Sequence, residues 1–384
     1  MKVLQVLDCF YPQFDGPVNV IVNIAKIANK LGLAEVELLV PEYPEKINVE
    51  GLIIHRCKSF PAAEGYRMST PQLDKKIKKL IKNGGFDIIH VHSPFTLGQY
   101  VVNIAKKYKI PVCFGMHTKY KSDFERKIKS KLIQKFMMNY IMKTINKSDH
   151  VLAVSNGTIT SLKEYGCTHR NITVIRNGTD MKPVALKNEI KQDIINKYNL
   201  QGKFVFLFVG RIVENKNIQF SLKVLKNLKK KSYDNFVFLI VGAGDYVTNL
   251  KELAKKYDLT DNVIFTGKIM DREYLSSIYA CSDLFMFPSV FDTFGIVALE
   301  AAANNLPSAM IENCCASELI TNGQNGLALP EDANIWADKI LELIENRDQL
   351  NNIKNNVNTI YISWETIVKE YIDFYSKVLD SIDK

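Results

Sequence analysis

Asp292 and Glu300 stand eight residues apart and bracket a Phe294-Gly295 turn. The apolar run before them, Ser282–Pro288, reads as a buried strand that stops at its proline. Asp292 therefore falls in the loop after a strand. Glu300 falls about two turns into the next helix, near the same mouth. The amides of Phe294, Gly295 and Ile296 lie at that helix start, where unpaired N–H groups and the helix dipole attract anions. A phosphate site between two carboxylates that can hold hydroxyls is what a sugar nucleotide needs. An ordinary strand-loop-helix unit with two chance acids is the competing reading of this segment alone.

A second constellation adds cations. Arg211 and Lys216 follow the apolar run Phe204–Val209, at the carboxyl end of a strand where α/β proteins bind ligands. Arginine offers a planar fork and lysine a point charge, the usual pair for a diphosphate. His117 follows Val112–Gly115 in the same strand-end position and can hydrogen-bond a substrate. His90 and His92 alternate on a strand end and are expected on opposite faces, one satisfied in the core, which argues against a metal between them. Gly16, in the first strand-to-helix loop, lets the backbone approach a phosphate or an acceptor closely. Pro17 marks a helix start. Gly242-Ala243-Gly244 lacks the third glycine of the dinucleotide fingerprint and reads as a tight turn near the nucleotide, not an NAD site.

Taken in order, these segments resemble the family 4 glycosyltransferases, retaining enzymes of the GT-B fold. The resemblance runs through Asp15-Gly16-Pro17-Val18-Asn19, His90-Val91-His92-Ser93-Pro94-Phe95, Gly115-Met116-His117-Thr118, Ala153-Val154-Ser155 and Ile175-Arg176-Asn177-Gly178-Thr179-Asp180. It continues through the Arg211/Lys216 loop, Phe265-Thr266-Gly267 and the carboxylate pair, and so covers nearly the whole chain. Order and spacing carry it rather than any single motif. The family usually has Glu at both ends of the carboxylate motif, and this chain has Asp292 at the first. The aspartate is one methylene shorter but keeps the charge, so it is expected to do the same job, with the sugar's identity open.

The resemblance implies a role for each residue. His117 contacts the transferred sugar and the reacting centre, Asp292 holds a sugar hydroxyl, and Glu300 grips the nucleotide ribose. Arg211, Lys216 and the amides of Phe294, Gly295 and Ile296 neutralise the diphosphate. Gly267, Lys268 and Ile269 meet the base through backbone groups, and Gly16 lies near the donor. Pro17, Tyr66 and Arg67 are assigned to the acceptor. An Asp-x-Asp metal motif is absent from the sequence, so no divalent metal or other cofactor is expected. The implied donor is a UDP-hexose, UDP-glucose or UDP-galactose leading, with GDP-mannose open. The runs His90–Gly98, Phe291–Gly295 and Glu300–Ala303 are similar to bacterial diacylglycerol glycosyltransferases and related cell-envelope enzymes, which implies a membrane lipid or other envelope acceptor. A soluble or polysaccharide acceptor is the alternative. A GT-B nucleotide-sugar epimerase is the rival of another class.

The elements that must position these residues are legible as alternating short apolar runs and helical stretches. Strands are expected at Val3–Leu7, Val36–Val40, Leu52–Arg56, Asp87–Val91, Val112–Gly115, His150–Val154 and Thr173–Ile175. The pattern restarts at Phe204–Val209, Phe236–Val241, Val263–Phe265, Leu284–Phe287 and Ser308–Ile311. Alternation of this kind implies parallel, doubly wound α/β sheets, and 384 residues suit two domains. The expected division is 1–180, joined by resemblance by the last helix 363–384, and 181–362. The resemblance makes the first the acceptor domain and the second the donor domain, facing a cleft.

The net charge is +9. Lys119–Lys147 holds nine Lys/Arg against two acids. A helix is expected over Ser122–Asn146, with Ile128, Leu132, Ile133, Phe136, Met137, Tyr140, Ile141 and Ile145 at helical spacing. A basic amphipathic helix can lie on an anionic membrane surface. It can equally pack its apolar face on its own domain with the lysines solvated. Both hold if only the lysine side meets headgroups. No aromatic-interleaved basic motif points to nucleic acid, and no apolar run approaches the roughly 20 residues of a membrane span. Seven scattered cysteines without paired spacing argue for a reducing compartment and against structural zinc. The expected location is cytoplasmic, or peripheral on the inner face of the cell membrane.

Overall fold

The computed structural model describes residues 1–13, 16–182 and 188–382. The chain separates into two compact units, Met1–Asn177 with Ser363–Lys384, and Gly178–Ile362. Each is built on a parallel sheet whose central strands are buried and mostly apolar, as sheets covered on both faces require.

The strands of the first unit's main sheet are β1 (Lys2–Val6), β2 (Glu35–Pro41), β3 (Ile54–Cys57), β6 (Ile88–Val91), β7 (Val112–Met116), β8 (His150–Ala153) and β9 (Ile172–Val174). Their order is β3-β2-β1-β6-β7-β8-β9. The chain winds outward from β1 in one direction and from β6 in the other. The switch point between these strands opens a crevice at their carboxyl ends. A short antiparallel hairpin, β4 (Ser59–Pro61) and β5 (Arg67–Ser69), stands apart. The Trp364–Ile382 helix packs against the Gly16–Lys30 helix, and buries Tyr371 and Tyr375 completely.

The second unit repeats the plan with β10 (Phe204–Val209), β11 (Phe236–Val241), β12 (Val263–Gly267), β13 (Leu284–Phe287), β14 (Ser308–Ile311) and β15 (Gly326–Leu329). The order β12-β11-β10-β13-β14-β15 puts its switch point between β10 and β13. Every residue of β10, β11, β13 and β14 is buried.

The expected helix over 122–146 is two helices, Tyr120–Lys127 and Lys131–Lys147. Ile128 and Ser130 take extended backbone angles, and the Ser130 hydroxyl caps the second helix by accepting from the Ile133 amide. Gln134 reinforces the break by donating to the Ile128 carbonyl at 2.7 Å. A serine that competes with the helical ladder ends one helix and starts another.

Candidate functional site

In the second unit the loops at the switch point carry most of the expected donor residues. β10 runs into Gly210, Arg211 and on to Lys216, and β13 runs into the loop with Asp292. The Lys216 Nζ meets both carboxylate oxygens of Asp292 at 2.7 Å and lies 5.3 Å from the Phe287 ring centre. Both partners are about four-fifths buried. Arg211 points to solvent. Two residues expected to grip different parts of one ligand are thus an ion pair with each other.

The glycines of Gly242-Ala243-Gly244 have a clear steric cause. A Cβ on Gly242 would lie 1.9 Å from the Gly210 carbonyl oxygen, and one on Gly244 would lie 2.0 Å from that of Ile212. The loop after β11 therefore crosses directly over the loop after β10. Backbone bonds seal the crossing, with the Ile212 amide donating to Ala243 at 2.9 Å and the Tyr246 amide to Ile212 at 3.1 Å. The Gly242 amide ties the same crossing to Gly267 at the end of β12, at 3.0 Å. Gly267 and Lys268 are exposed, and Ile269 is half-buried.

Gly295, at φ 77°, caps the Ile296–Ala303 helix, and Phe294 beside it is buried. A side chain at 295 would be strained in backbone and would press on the Ala316 Cβ at 3.1 Å. The first amides of this helix have no partner within it. Glu300, in the second turn of this helix, joins a half-buried cluster that sequence reasoning missed. Its carboxylate accepts from Arg272 and from the Tyr279 hydroxyl, each at 3.0 Å. Arg272 also reaches Asp180 at 2.5 Å. Burial raises the Glu300 carboxyl above its ordinary range, with Arg272 pulling the other way. Burial likewise raises the Tyr279 hydroxyl, and Glu300 adds to it. Arg272 carries no sequence signal, because its partners lie 28 and 92 positions away.

The first unit supplies a different chemistry. His117, just past β7, lies with its Nε2 2.8 Å from His92 Nδ1. His92 Nε2 meets Gln5 Oε1, and Gln5 Nε2 donates to the Tyr375 hydroxyl at 3.3 Å. Tyr375 also meets His90 Nδ1 at 2.7 Å. The expectation that His90 and His92 face opposite ways is corrected: their ring centres are 3.8 Å apart, and both are buried. β6 ends at Val91, so His92 lies beyond the pleat that would have alternated them. Gly115 makes the room. A Cβ there would stand 2.7 Å from His90 Nε2, 2.9 Å from His117 Nε2 and 3.3 Å from His92 Nδ1. Burial pushes the His117 imidazole down to about 4, and holds His90 and His92 well below their ordinary range. All three are neutral near pH 7. Among the described residues no cluster of His, Cys, Asp or Glu could hold a metal ion.

Gly16 and Pro17 open the first helix; Asp15 lies outside the described residues. The segment with Tyr66 and Arg67 is the β4–β5 hairpin. Arg67 spends its fork on the backbone and hydroxyl oxygens of Ser59, both at 2.8 Å, which pins the hairpin. Lys127 reaches the same hairpin through Glu64 at 2.5 Å.

The Lys131–Lys147 helix divides along its length. Ile141, Met142 and Ile145 are buried in the first unit's core, with Met137, Met138 and Tyr140 packed at its margin. Leu132, Ile133 and Phe136 are 79%, 50% and 69% exposed, in the same turns as Lys131 and Lys135. Among the described residues no helix is long and apolar enough to cross a membrane.

Two parallel-sheet units, each with candidate residues in loops at its switch point, define a two-domain α/β architecture, and comparison with known proteins gives its family. The model of "Glycosyltransferase Family 4" matches residues 14–182, and that of "Glycosyl transferases group 1" matches residues 190–359. The chain belongs to the family 4 glycosyltransferases of the GT-B fold. It is 28% identical to the alpha-monoglucosyldiacylglycerol synthase of Streptococcus pneumoniae, over 100% of this chain and 86% of that protein. It is 25% identical to the synthase of the same name from Acholeplasma laidlawii, over 98% of this chain and 96% of that one. Among solved structures it is similar to Anabaena HepE in complex with UDP, with a TM-score of 0.77, 18% identity, and 98% of this chain and 100% of that one covered.

Proposed function

We propose that this glycosyltransferase moves a hexose from a UDP-sugar, UDP-glucose or UDP-galactose, to a lipid acceptor at an anionic membrane surface, with retention at the anomeric carbon. The bond from the sugar to the diphosphate breaks, the acceptor oxygen bonds to the same carbon on the same face, and the acceptor proton passes to the departing phosphate. Lys216, Arg211 and the amides of Phe294, Gly295 and Ile296 meet the charge that builds on the diphosphate. Glu300 takes the ribose, Asp292 a sugar hydroxyl, Gly267, Lys268 and Ile269 the base, and His117 the transferred sugar. The Lys216–Asp292 pair is compatible with this division, because a lysine between a carboxylate and a phosphate can serve both.

The observation that carries the acceptor is the free half of the Lys131–Lys147 helix. Burying Leu132, Ile133 and Phe136 would gain roughly 1.5–3 kcal/mol each, and the protein leaves them out. Flanking lysines suit anionic headgroups, each worth about 1 kcal/mol near such a surface. The relatives named for glucosyldiacylglycerol synthesis support a lipid acceptor.

The test combines turnover with vesicle sedimentation. Lys127, Lys131 and Lys135 changed together to Gln should weaken binding to anionic vesicles roughly 100-fold. UDP binding should stay intact. Added salt should weaken the wild type's vesicle binding, because screening acts over about 10 Å at 0.1 M. Equal binding to neutral and anionic vesicles, or activity confined to soluble acceptors, would sink the lipid reading. Turnover with GDP-mannose but no UDP-sugar would replace the donor.

A further inference from the structure

Five buried groups of the first unit form one hydrogen-bonded chain: His90, Tyr375, Gln5, His92 and His117. The direction of each bond follows from chemistry. The Gln5 Oε1 can only accept, so His92 Nε2 carries the hydrogen. Burial keeps His92 neutral, which leaves its Nδ1 bare. That nitrogen must accept, so His117 donates to it from Nε2. At the other end Gln5 Nε2 donates to the Tyr375 oxygen, and the Tyr375 hydroxyl donates to His90 Nδ1. Each hydrogen is used once.

We propose that Gln5, His92 and Tyr375 are positioning residues that hold His117 in its Nε2–H tautomer, with Nδ1 as an acceptor. The inference rests on the assignment of His117 to the transferred sugar made above. It fixes the hydrogen of His117 on Nε2, toward His92, and so sets the orientation of the His117 ring. It also gives the Trp364–Ile382 helix a part in the reaction, because that helix brings the Tyr375 hydroxyl. Gly115 belongs to the same device, since any side chain there would drive into all three imidazoles.

The experiment reads the tautomer and the rate together. The 15N spectrum of the wild-type protein, labelled at histidine and assigned with His117→Ala, should show His117 protonated at Nε2. Gln5→Leu, similar in shape, should mix the tautomers. It should lower kcat roughly tenfold or more, as losing a histidine's orienting partner does, with donor KM within about twofold. Tyr375→Phe, which keeps the ring and its packing, should shift the same resonances with a smaller rate loss. An Nδ1–H signature in the wild type would overturn the inference, whatever the variants do. So would full activity and unchanged His117 resonances in Gln5→Leu and Tyr375→Phe while His117→Ala is inactive. Full activity in His117→Ala would instead sink the prior assignment of His117 to the sugar.

Discussion

The two units hold their candidate site residues by opposite electrostatic means. In the second, Lys216 with Asp292, and Arg272 with Glu300 and Asp180, are opposite charges in contact. In the first, His90, His92 and His117 are buried and neutral, joined through Gln5 and Tyr375. On the proposed function, Lys216 would stand between Asp292 and the diphosphate, and ribose hydroxyls would meet Glu300 beside Arg272 and Tyr279. A neutral chain has no charge to trade and instead fixes where hydrogens point. On the proposed function the difference would suit a nucleotide that carries charge and a sugar that carries none.

The comparison breaks most visibly at Glu300. Glu300→Ala removes the proposed ribose partner, a charged hydrogen-bonding group worth roughly 2–4 kcal/mol to binding. Calorimetry should then show UDP binding weakened roughly 30- to 1000-fold, at 1.4 kcal/mol per tenfold. Unchanged affinity would remove the ribose from Glu300.

Lys216→Ala should cut turnover roughly 100-fold, the scale of losing one preorganised group that meets transition-state charge. Arg211→Ala should cost less, because Arg211 is exposed. If steady-state rates of both variants match the wild type, the diphosphate is held elsewhere.

The neutral cluster predicts a pH effect on stability. His117 has its folded value depressed to about 4, below an unfolded value near 6.5. Between these the unfolded chain binds the proton and the folded one does not, so stability is present above about pH 6.5 and lost as pH falls toward 4. For His117 alone the full difference is on the order of 3 kcal/mol. Tm followed from pH 7 to pH 4 should therefore fall, and fall less in His117→Phe. A Tm flat across that window would show that the imidazoles are not buried as described.

The smallest effect expected is none: activity should persist in EDTA. On the proposed function Lys216, Arg211 and the helix amides would supply the positive charge, and the sequence has no Asp-x-Asp. Loss of activity restored by magnesium or manganese would assign that work to a metal.

What the sequence disclosed follows from which forces act locally. Phe204–Val209, Phe236–Val241, Leu284–Phe287 and Ser308–Ile311 are strands at the expected bounds, because a short continuous apolar run between turn signals has few other solutions. The short β15 was hidden behind Gly323-Gln324-Asn325-Gly326, which reads as a turn. The β4–β5 hairpin was hidden in a loop with no period-2 pattern. The break at Ser130 was overridden in the reading by an apolar period that continues across it. At the site, residues at strand ends were legible as types in loops. Their partners were not: Gln5, Tyr279, Arg272 and Tyr375 act through contacts that only the folded chain creates, such as Gln5 with His92 across 87 positions.

The helix that carries Tyr375 also orders events in time. The seven strands of the first sheet are complete by Val174, but Trp364–Ile382 follows the whole of the second unit in the chain. A growing polypeptide therefore exposes the apolar ground that Tyr371 and Tyr375 later cover, while some 185 further residues, Gly178–Ile362, are made and fold. The unit begun first is finished last, and its unfinished surface is the interval in which a nascent chain most needs shielding from its neighbours.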